Sequence, residues 1–201
     1  MLDMAKAGYW CGGRAPIGYK IKKIKVDNKT HSTLEIDEKA INYYRTLVNA
    51  FIESNKSLTA TATELRRKGL RTLNGGLIRA GTIHKLISNP VYVQADENTY
   101  NYFKNLGCRI ICNKEKFDDS KALLRYGRKA GGQNNKFSLI DKSEWIISVG
   151  LHDYLLDSKT FLSVQNSLNH NKINKVRKHE VGLLHRILTC KCGYKMRAVR
   201  R

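Results

Sequence analysis

Residues 10–19, Trp10-Cys11-Gly12-Gly13-Arg14-Ala15-Pro16-Ile17-Gly18-Tyr19, constrain the fold of this chain more than any other stretch. Glycines at 12, 13 and 18 with a proline at 16 cannot sit inside a helix. Glycine loses the most backbone freedom there, and proline lacks the amide that an inner turn must donate. The stretch runs directly into an alternating pattern, Ile17, Tyr19 and Ile21. It reads as a shaped, close-packed approach to a strand rather than a loose linker.

Around this segment the apolar periodicity organises most of the chain. Residues 2–7 resemble the last turns of a helix, with Gly8 where a positive φ commonly ends one. A helix ending so near residue 1 is expected to be the tail of a longer one. From 17 to 26 apolar and basic residues alternate, with a slip of phase at Lys22-Lys23. After the turn-like Asp27-Asn28-Lys29, Leu34 and Ile36 alternate again, which predicts a β-hairpin with a bulge. Asp37 should cap a helix burying Ile41, Tyr44, Leu47, Val48 and Phe51. A second helix follows Ser57, with Ala62 and Leu65 inward, Arg66, Arg67 and Lys68 in its last turn, and Gly69 closing it. Asn74-Gly75-Gly76 marks a turn within 71–77. A third helix over 79–88 turns Ile83, Leu86 and Ile87 inward and stops at Asn89-Pro90. Over 91–140 the pattern predicts short strands at 91–93 and 109–111, a helix over 98–106 and a loop over 130–135. A strand at 145–147 follows, and Asp157 caps a helix with Phe161, Val164, Gln165 and Leu168 on one side, extended or linked onward by the polar residues 169–178.

Composition narrows the partner. Hydrophobic residues make up 41% of the 201, enough for a packed core. Lys and Arg number 37 against 17 Asp and Glu, a formal charge of +20, which favours a polyanion. Nucleic acid is preferred to membrane, since no apolar run approaches roughly 18 residues and no signal-peptide pattern begins at Met1. The five cysteines, odd in number and sparse, suit a reducing cytoplasm rather than a disulfide framework. Cys108 and Cys112, four apart, could share a helix face and read as half-buried thiols.

The second and third helices with their intervening loop suggest a helix-turn-helix whose turn is longer than usual. If Ile83, Leu86 and Ile87 pack inward, His84, Lys85 and Ser88 point away, and Arg79 and Thr82 stand at the N-terminus of the recognition helix. Arg71 and Thr72 on the loop can reach a flanking phosphate. Arg14 and Lys20, on the glycine-rich segment and the hairpin, complete the candidate DNA-binding set. Near the C-terminus, Cys190-Lys191-Cys192-Gly193 follows the apolar run 183–188 like the opening of a zinc ribbon. Structural zinc needs four ligands, no second cysteine pair follows, and the pair has one intervening residue where two or more are usual. His84 and His152-Asp153 lack partners at catalytic spacing.

The glycine-rich segment, residues 57–70 and residues 75–92, in that order, resemble the recombinase domain of the large serine recombinases, the DNA integrases and transposases of phages and mobile elements. The resemblance implies an α+β fold: a helix-turn-helix, winged-helix-like recombinase domain with a β-hairpin, then a helix and a truncated zinc ribbon. It assigns 1–8 to the end of a connecting helix, 9–144 to the DNA-binding domain, 145–180 to a linking strand and helix, and 181–201 to the start of the ribbon. In this family a serine in a separate N-terminal domain attacks the DNA phosphodiester, and strands are exchanged within a tetramer. The resemblance therefore implies no catalytic residue in this chain, self-association of the full-length protein, and zinc as a metal of that protein, with Cys190 and Cys192 as half a site. The expected partner is double-stranded DNA, recognised as one half of an attachment site for integration or excision. A non-catalytic helix-turn-helix transcriptional regulator is the alternative, and a basic RNA-binding protein a third. The RNA reading expects aromatics exposed on a sheet, whereas most Tyr and Phe here fall at helical core spacing.

Two thiolates supply half of a tetrahedral site. A chelator should accordingly leave the melting temperature of this chain unchanged. One tightly bound zinc per chain, lost together with folding, would contradict that.

Overall fold

The computed structural model describes residues 2–54, 57–127, 129–130, 138–139 and 141–170, all within one compact unit, Met1–His170. The pair Cys190 and Cys192, the ribbon start and most of the 130–135 loop lie outside the described residues.

The fold is α+β. Helix α1 (Leu2–Lys6) ends at Gly8, whose φ is +80°. A Cβ at that position would stand 2.8 Å from the Val149 carbonyl oxygen, so both backbone sign and space require glycine. Strands β1 (Tyr19–Val26) and β2 (Lys29–Ile36) form an antiparallel hairpin, paired without interruption from Tyr19↔Ile36 to Val26↔Lys29. The bulge expected at Lys22-Lys23 is absent. Asp27 and Asn28, with φ of 49° and 59°, make the two-residue turn whose twist matches that of the strands. The phase slip has no consequence because residues 20–23 are exposed on both faces, and only Tyr19, Thr33 and Leu34 are buried.

Three helices follow. In α2 (Glu38–Glu53) the Asp37 carboxylate accepts from the Lys39 amide, and Ile41, Tyr44, Leu47, Val48 and Phe51 are buried as their spacing predicts. Helix α3 (Leu58–Arg67) is capped by Ser57 and buries Ala62 and Leu65. Helix α4 (Ala80–Ile87) buries Ile83 and Ile87, and Leu86 packs half-buried against the same core. Residues 91–93, expected as a strand, instead begin with a 3₁₀ turn, Pro90–Tyr92, capped by the Asn89 side chain. Proline at the first position fixes the turn geometry and removes the amide that a ladder would use. Val93 and Gln94 then make single bridges to Leu156 and Ala122.

The second half builds on α5 (Glu97–Asn105), whose Asp96 forms a capping box with Thr99. A three-stranded sheet follows, from β3 (Arg109–Ile110), β4 (Leu123–Tyr126) and β7 (Ile146–Val149) in the order β3-β7-β4. Strand β3 runs parallel to β7, and β4 antiparallel. Two short segments, β5 (Lys129–Ala130) and β6 (Ser138–Leu139), pair antiparallel at the base of the 130–135 region. Strand β7, within the stretch expected as a linking strand and helix, is the central strand of this sheet. Helix α6 (Ser158–His170) packs on α5 and buries Phe161, Val164, Gln165 and Leu168. Cys108 and Cys112 flank β3 rather than sharing a helix, and the buried Cys108 thiol donates to the Lys142 carbonyl at 3.1 Å. Asp96 also joins α5 to α6 by accepting a short hydrogen bond from the Ser158 hydroxyl. Burial works to raise the Asp96 pKa, but bonds from Ser158, Thr99 and Asn98 hold it below the usual carboxylate value.

The halves meet at a cluster of rings. Tyr44 stacks on Tyr92 with centroids 3.9 Å apart, Tyr92 on Tyr19 at 5.7 Å, and His152 meets Tyr19 edge-on at 5.1 Å. The Tyr19 hydroxyl donates to the Asp153 carbonyl at 2.8 Å, and His152 Nε2 donates to the Val91 carbonyl at 2.9 Å.

Burial pushes the His152 pKa down to about 4, against smaller opposing effects of the Val91 hydrogen bond and Asp153. Its folded value lies below its unfolded value, so the unfolded chain binds the extra proton first. His152 therefore contributes stability that is complete above about pH 6.5 and is lost as the pH falls toward 4, in total about 3 kcal/mol. Urea unfolding of His152→Gln should show a flatter pH dependence across that window than the parent chain. Equal slopes would contradict this assignment.

Candidate nucleic-acid interface

The α3–α4 connection is built rather than loose. Arg71 bridges Leu77, the Thr72 amide donates to the Gly76 carbonyl at 2.8 Å, and the Gly75 amide donates to the Thr72 carbonyl at 2.8 Å. Gly75 takes φ +76°, the left-handed residue of a three-residue hairpin loop. The Thr72 hydroxyl, a candidate for phosphate contact, accepts from the Gly76 amide at 3.0 Å and serves the loop. Arg71 and Arg79 are exposed on either side of it, and Arg79 is the N-cap residue of α4 without a side-chain cap bond.

On α4 itself His84 and Lys85 are exposed and Thr82 is half-buried. Ser88, expected on the same outward face, is buried at 8% exposure, and its hydroxyl has no hydrogen-bond partner among the described residues. It occupies the C-cap, beyond the last helical residue, where the 100° step no longer governs direction. Helix α6 crowds this end: the Gln165 amide donates to the Ile87 carbonyl at 3.2 Å.

Beside α4 lies a cleft of about 330 Å³ that the sequence did not reveal. The glycine-rich segment walls one side with Trp10, Arg14 and Pro16, α4 supplies Lys85 and Leu86, and β4 supplies Arg125. Arg14 and Lys85, 71 residues apart in the chain, thus share one concavity. The Arg125 guanidinium lies 4.4 Å from the centre of the Trp145 ring, a cation–π contact that fixes its plane. Lys142 extends the positive field: burial, then the charge of Lys142, lowers the His84 pKa. His84 therefore favours its neutral form near pH 7, offering a ring donor and acceptor rather than a charge.

Ion pairing sorts the remaining cations. Glu35 takes both Lys22 at 2.6 Å and Lys20 at 3.2 Å, Glu64 takes Lys68, Glu97 takes Lys114 and Asp153 takes Lys121. Lys20, a sequence candidate, is therefore partly neutralised and stands on the hairpin rather than in the cleft. Arg14, Arg71, Arg79 and Lys85 are exposed and form no ion pair among the described residues. Grouped around α4, these four keep their charge for an external anion, as Lys23, Lys25 and Lys29 do on the hairpin.

The family described as Recombinase matches residues 38–171, from the start of α2 past the end of α6. The chain belongs to the recombinase family. The match covers residues 57–70 and 75–92, which carried the resemblance together with the glycine-rich segment, and it begins after that segment. Among solved structures, the recombinase chain is similar to one described as a crystal structure of an LSR–DNA complex. Identity there is 16% and the TM-score 0.45, over 96% of this chain and 46% of that one. It is likewise similar to one described by the sequence requirements of the Listeria innocua prophage attP site. There too identity is 16% and the TM-score 0.45, over 98% of this chain and 62% of that one. The recombinase chain spans about half to three-fifths of those structures. No curated protein matches.

Among the described residues no group of three or more His, Cys, Asp or Glu could hold a metal, and no helix is long and apolar enough to cross a membrane. Arg125, Lys142 and Trp145 were invisible to local pattern. Arg125 reaches the cleft from β4, Lys142 acts on His84 through its charge, and Trp145 lies under the Arg125 guanidinium.

The orphaned Ser88 hydroxyl yields a prediction. Removing a buried polar group without a partner relieves about 1 kcal/mol or more, so Ser88→Ala should raise the melting temperature and leave nucleic-acid binding unchanged. A loss of binding with intact folding would restore Ser88 to the interface.

Proposed function

We propose that this recombinase chain is the DNA-binding portion of a large serine recombinase, recognising one half of an attachment site during integration or excision. The observation that carries the reading is the grouping around α4 of Arg14, Arg71, Arg79 and Lys85, without an ion pair among the described residues, on a chain of charge +20. Family membership and the description of one similar structure as a DNA complex support it.

In this reading α4 enters the major groove. Arg79, Thr82, His84 and Lys85 face base edges, since a helix presents its exposed N-terminal and outer positions there. Arg71 and Arg14 hold phosphates on either side of the helix, Arg14 from the cleft wall and Arg71 from the loop. Covalent strand chemistry and self-association belong, in the same reading, to the full-length recombinase. Cys190 and Cys192 remain its candidate zinc ligands, and no step of recognition depends on them.

Binding should be dominated by phosphate contacts. With roughly six to ten of them, log K for duplex DNA should fall against log salt with a slope of about −5 to −9. Arg79→Ala and Lys85→Ala should each lose about 1–3 kcal/mol on a preferred duplex and much less on a random one. Arg14→Ala should weaken both alike. A slope near zero, or equal losses for all three variants on both duplexes, would defeat the proposal.

A further inference from the structure

The loop between α3 and α4 carries two of the most exposed large apolar side chains among the described residues, Leu73 at 64% and Leu77 at 51%. Single exposed leucines are ordinary on protein surfaces. These two are not adventitious ends of a flexible segment. They stand on a hairpin loop closed at its base by the Arg71–Leu77 bridge and inside by three hydrogen bonds centred on Thr72. Ile78, the next residue, is fully buried at 0% and anchors the loop to the core immediately before α4 begins. The backbone is thus fixed with both leucines held out to solvent, and neither has folded back onto the apolar core.

The surrounding charge selects the occupant. Residues 71–79, Arg-Thr-Leu-Asn-Gly-Gly-Leu-Ile-Arg, hold two arginines and no acid. Both arginines are exposed and form no ion pair among the described residues. A second copy meeting this patch would bring like charges together. An apolar tip flanked by cations suits instead a surface that is anionic at its margins and offers small apolar groups between them. The major groove of duplex DNA is such a surface, with phosphates along its edges and thymine C5-methyl groups on its floor.

We infer that Leu73 and Leu77 form an apolar reading tip that packs against thymine methyl groups beside the bases contacted by α4, giving the protein a preference for thymine there. The inference rests on the DNA-binding reading above and deepens it. Arg71 holds a phosphate that keeps the tip in register, and the Thr72 hydrogen bonds keep the loop from yielding. Burying a methyl-sized group is worth roughly fourfold in affinity. Discrimination of that size at each thymine adds to what α4 contributes.

The test uses the full chain and a duplex selected by it from a random pool. Affinities are measured for that duplex, for a scrambled duplex, and for the selected duplex with thymines replaced singly by deoxyuridine, which removes only the methyl. Replacement at one or two positions should weaken binding of the parent chain roughly fourfold each. Leu73→Ala/Leu77→Ala should bind the selected duplex about tenfold more weakly, bind the scrambled one as the parent does, and no longer respond to deoxyuridine. Leu73→Met, which keeps the apolar bulk, should retain the deoxyuridine effect. Both leucines are exposed, so these variants should melt with the parent. If the double variant matches the parent on both duplexes, or still responds to deoxyuridine as the parent does, the inference falls. If Arg79→Ala still loses preference for the selected duplex in that case, the DNA-binding reading stands without it. Failure of the parent chain to bind any duplex would overturn both.

Discussion

Four rings hold this molecule in register. Tyr19 ends the glycine-rich segment, Tyr44 lies midway along α2, Tyr92 follows α4, and His152 follows β7; each belongs to a different part of the chain, and they stack or meet edge-on in one buried group. Contacts of this kind add about 0.5–1.5 kcal/mol each beyond the burial of the rings, but their geometric effect is larger. Burial raises the pKa of Tyr19, so its hydroxyl stays a neutral donor and can bond the Asp153 carbonyl. His152, kept neutral by burial, bonds the Val91 carbonyl next to Tyr92. Once these bonds are made, the glycine-rich segment, the C-terminal end of α4 and the turn after β7 have little freedom relative to one another.

The proposed reading surface follows from that fixed relation. Arg14 stands beside Lys85 because Tyr19 is pinned against Tyr92, five residues beyond the buried Ile87. The far end of α4 is held by Ile83 and Ile87 in the core and by Gln165 on the Ile87 carbonyl. Glu35, Glu64, Glu97 and Asp153 each take lysines elsewhere, and Arg14, Arg71, Arg79 and Lys85 are among the exposed cations that form no ion pair among the described residues. A chain of charge +20 repels itself when compact, so a polyanion laid against that surface relieves a cost of folding as well as binding.

Much of the first half was legible in the sequence because local rules decide it. The spacing of Ile41, Tyr44, Leu47, Val48 and Phe51, the caps Asp37 and Ser57, and the closing Gly8 and Gly69 all act within a turn or two. The second half was not. Strand β4 has four residues with Leu123 and Leu124 both buried, and β3 has two, so neither shows the alternation that marks a half-buried strand. Val91 and Tyr92 carry strand-like composition, yet Pro90 imposes a 3₁₀ turn. Within the site, the exposure of His84 and Lys85 followed from helical phase. Ser88 failed because it lies past the helix end and under α6. Arg125 and Lys142 could not be found locally, since Arg125 reaches the cleft from β4 and Lys142 acts on His84 through its charge.

The central claim is that the surface built on α4, its preceding loop and the glycine-rich segment is where duplex DNA lies. Titrating the labelled protein with a duplex while following its backbone amide resonances tests that directly. The account predicts the largest shifts at Gly12 to Arg14, Arg71 to Leu77 and Arg79 to Lys85, with little change along the exposed side of α5 at Asn101, Lys104 and Asn105. Shifts concentrated on α5, with residues 71–85 unmoved, would contradict it.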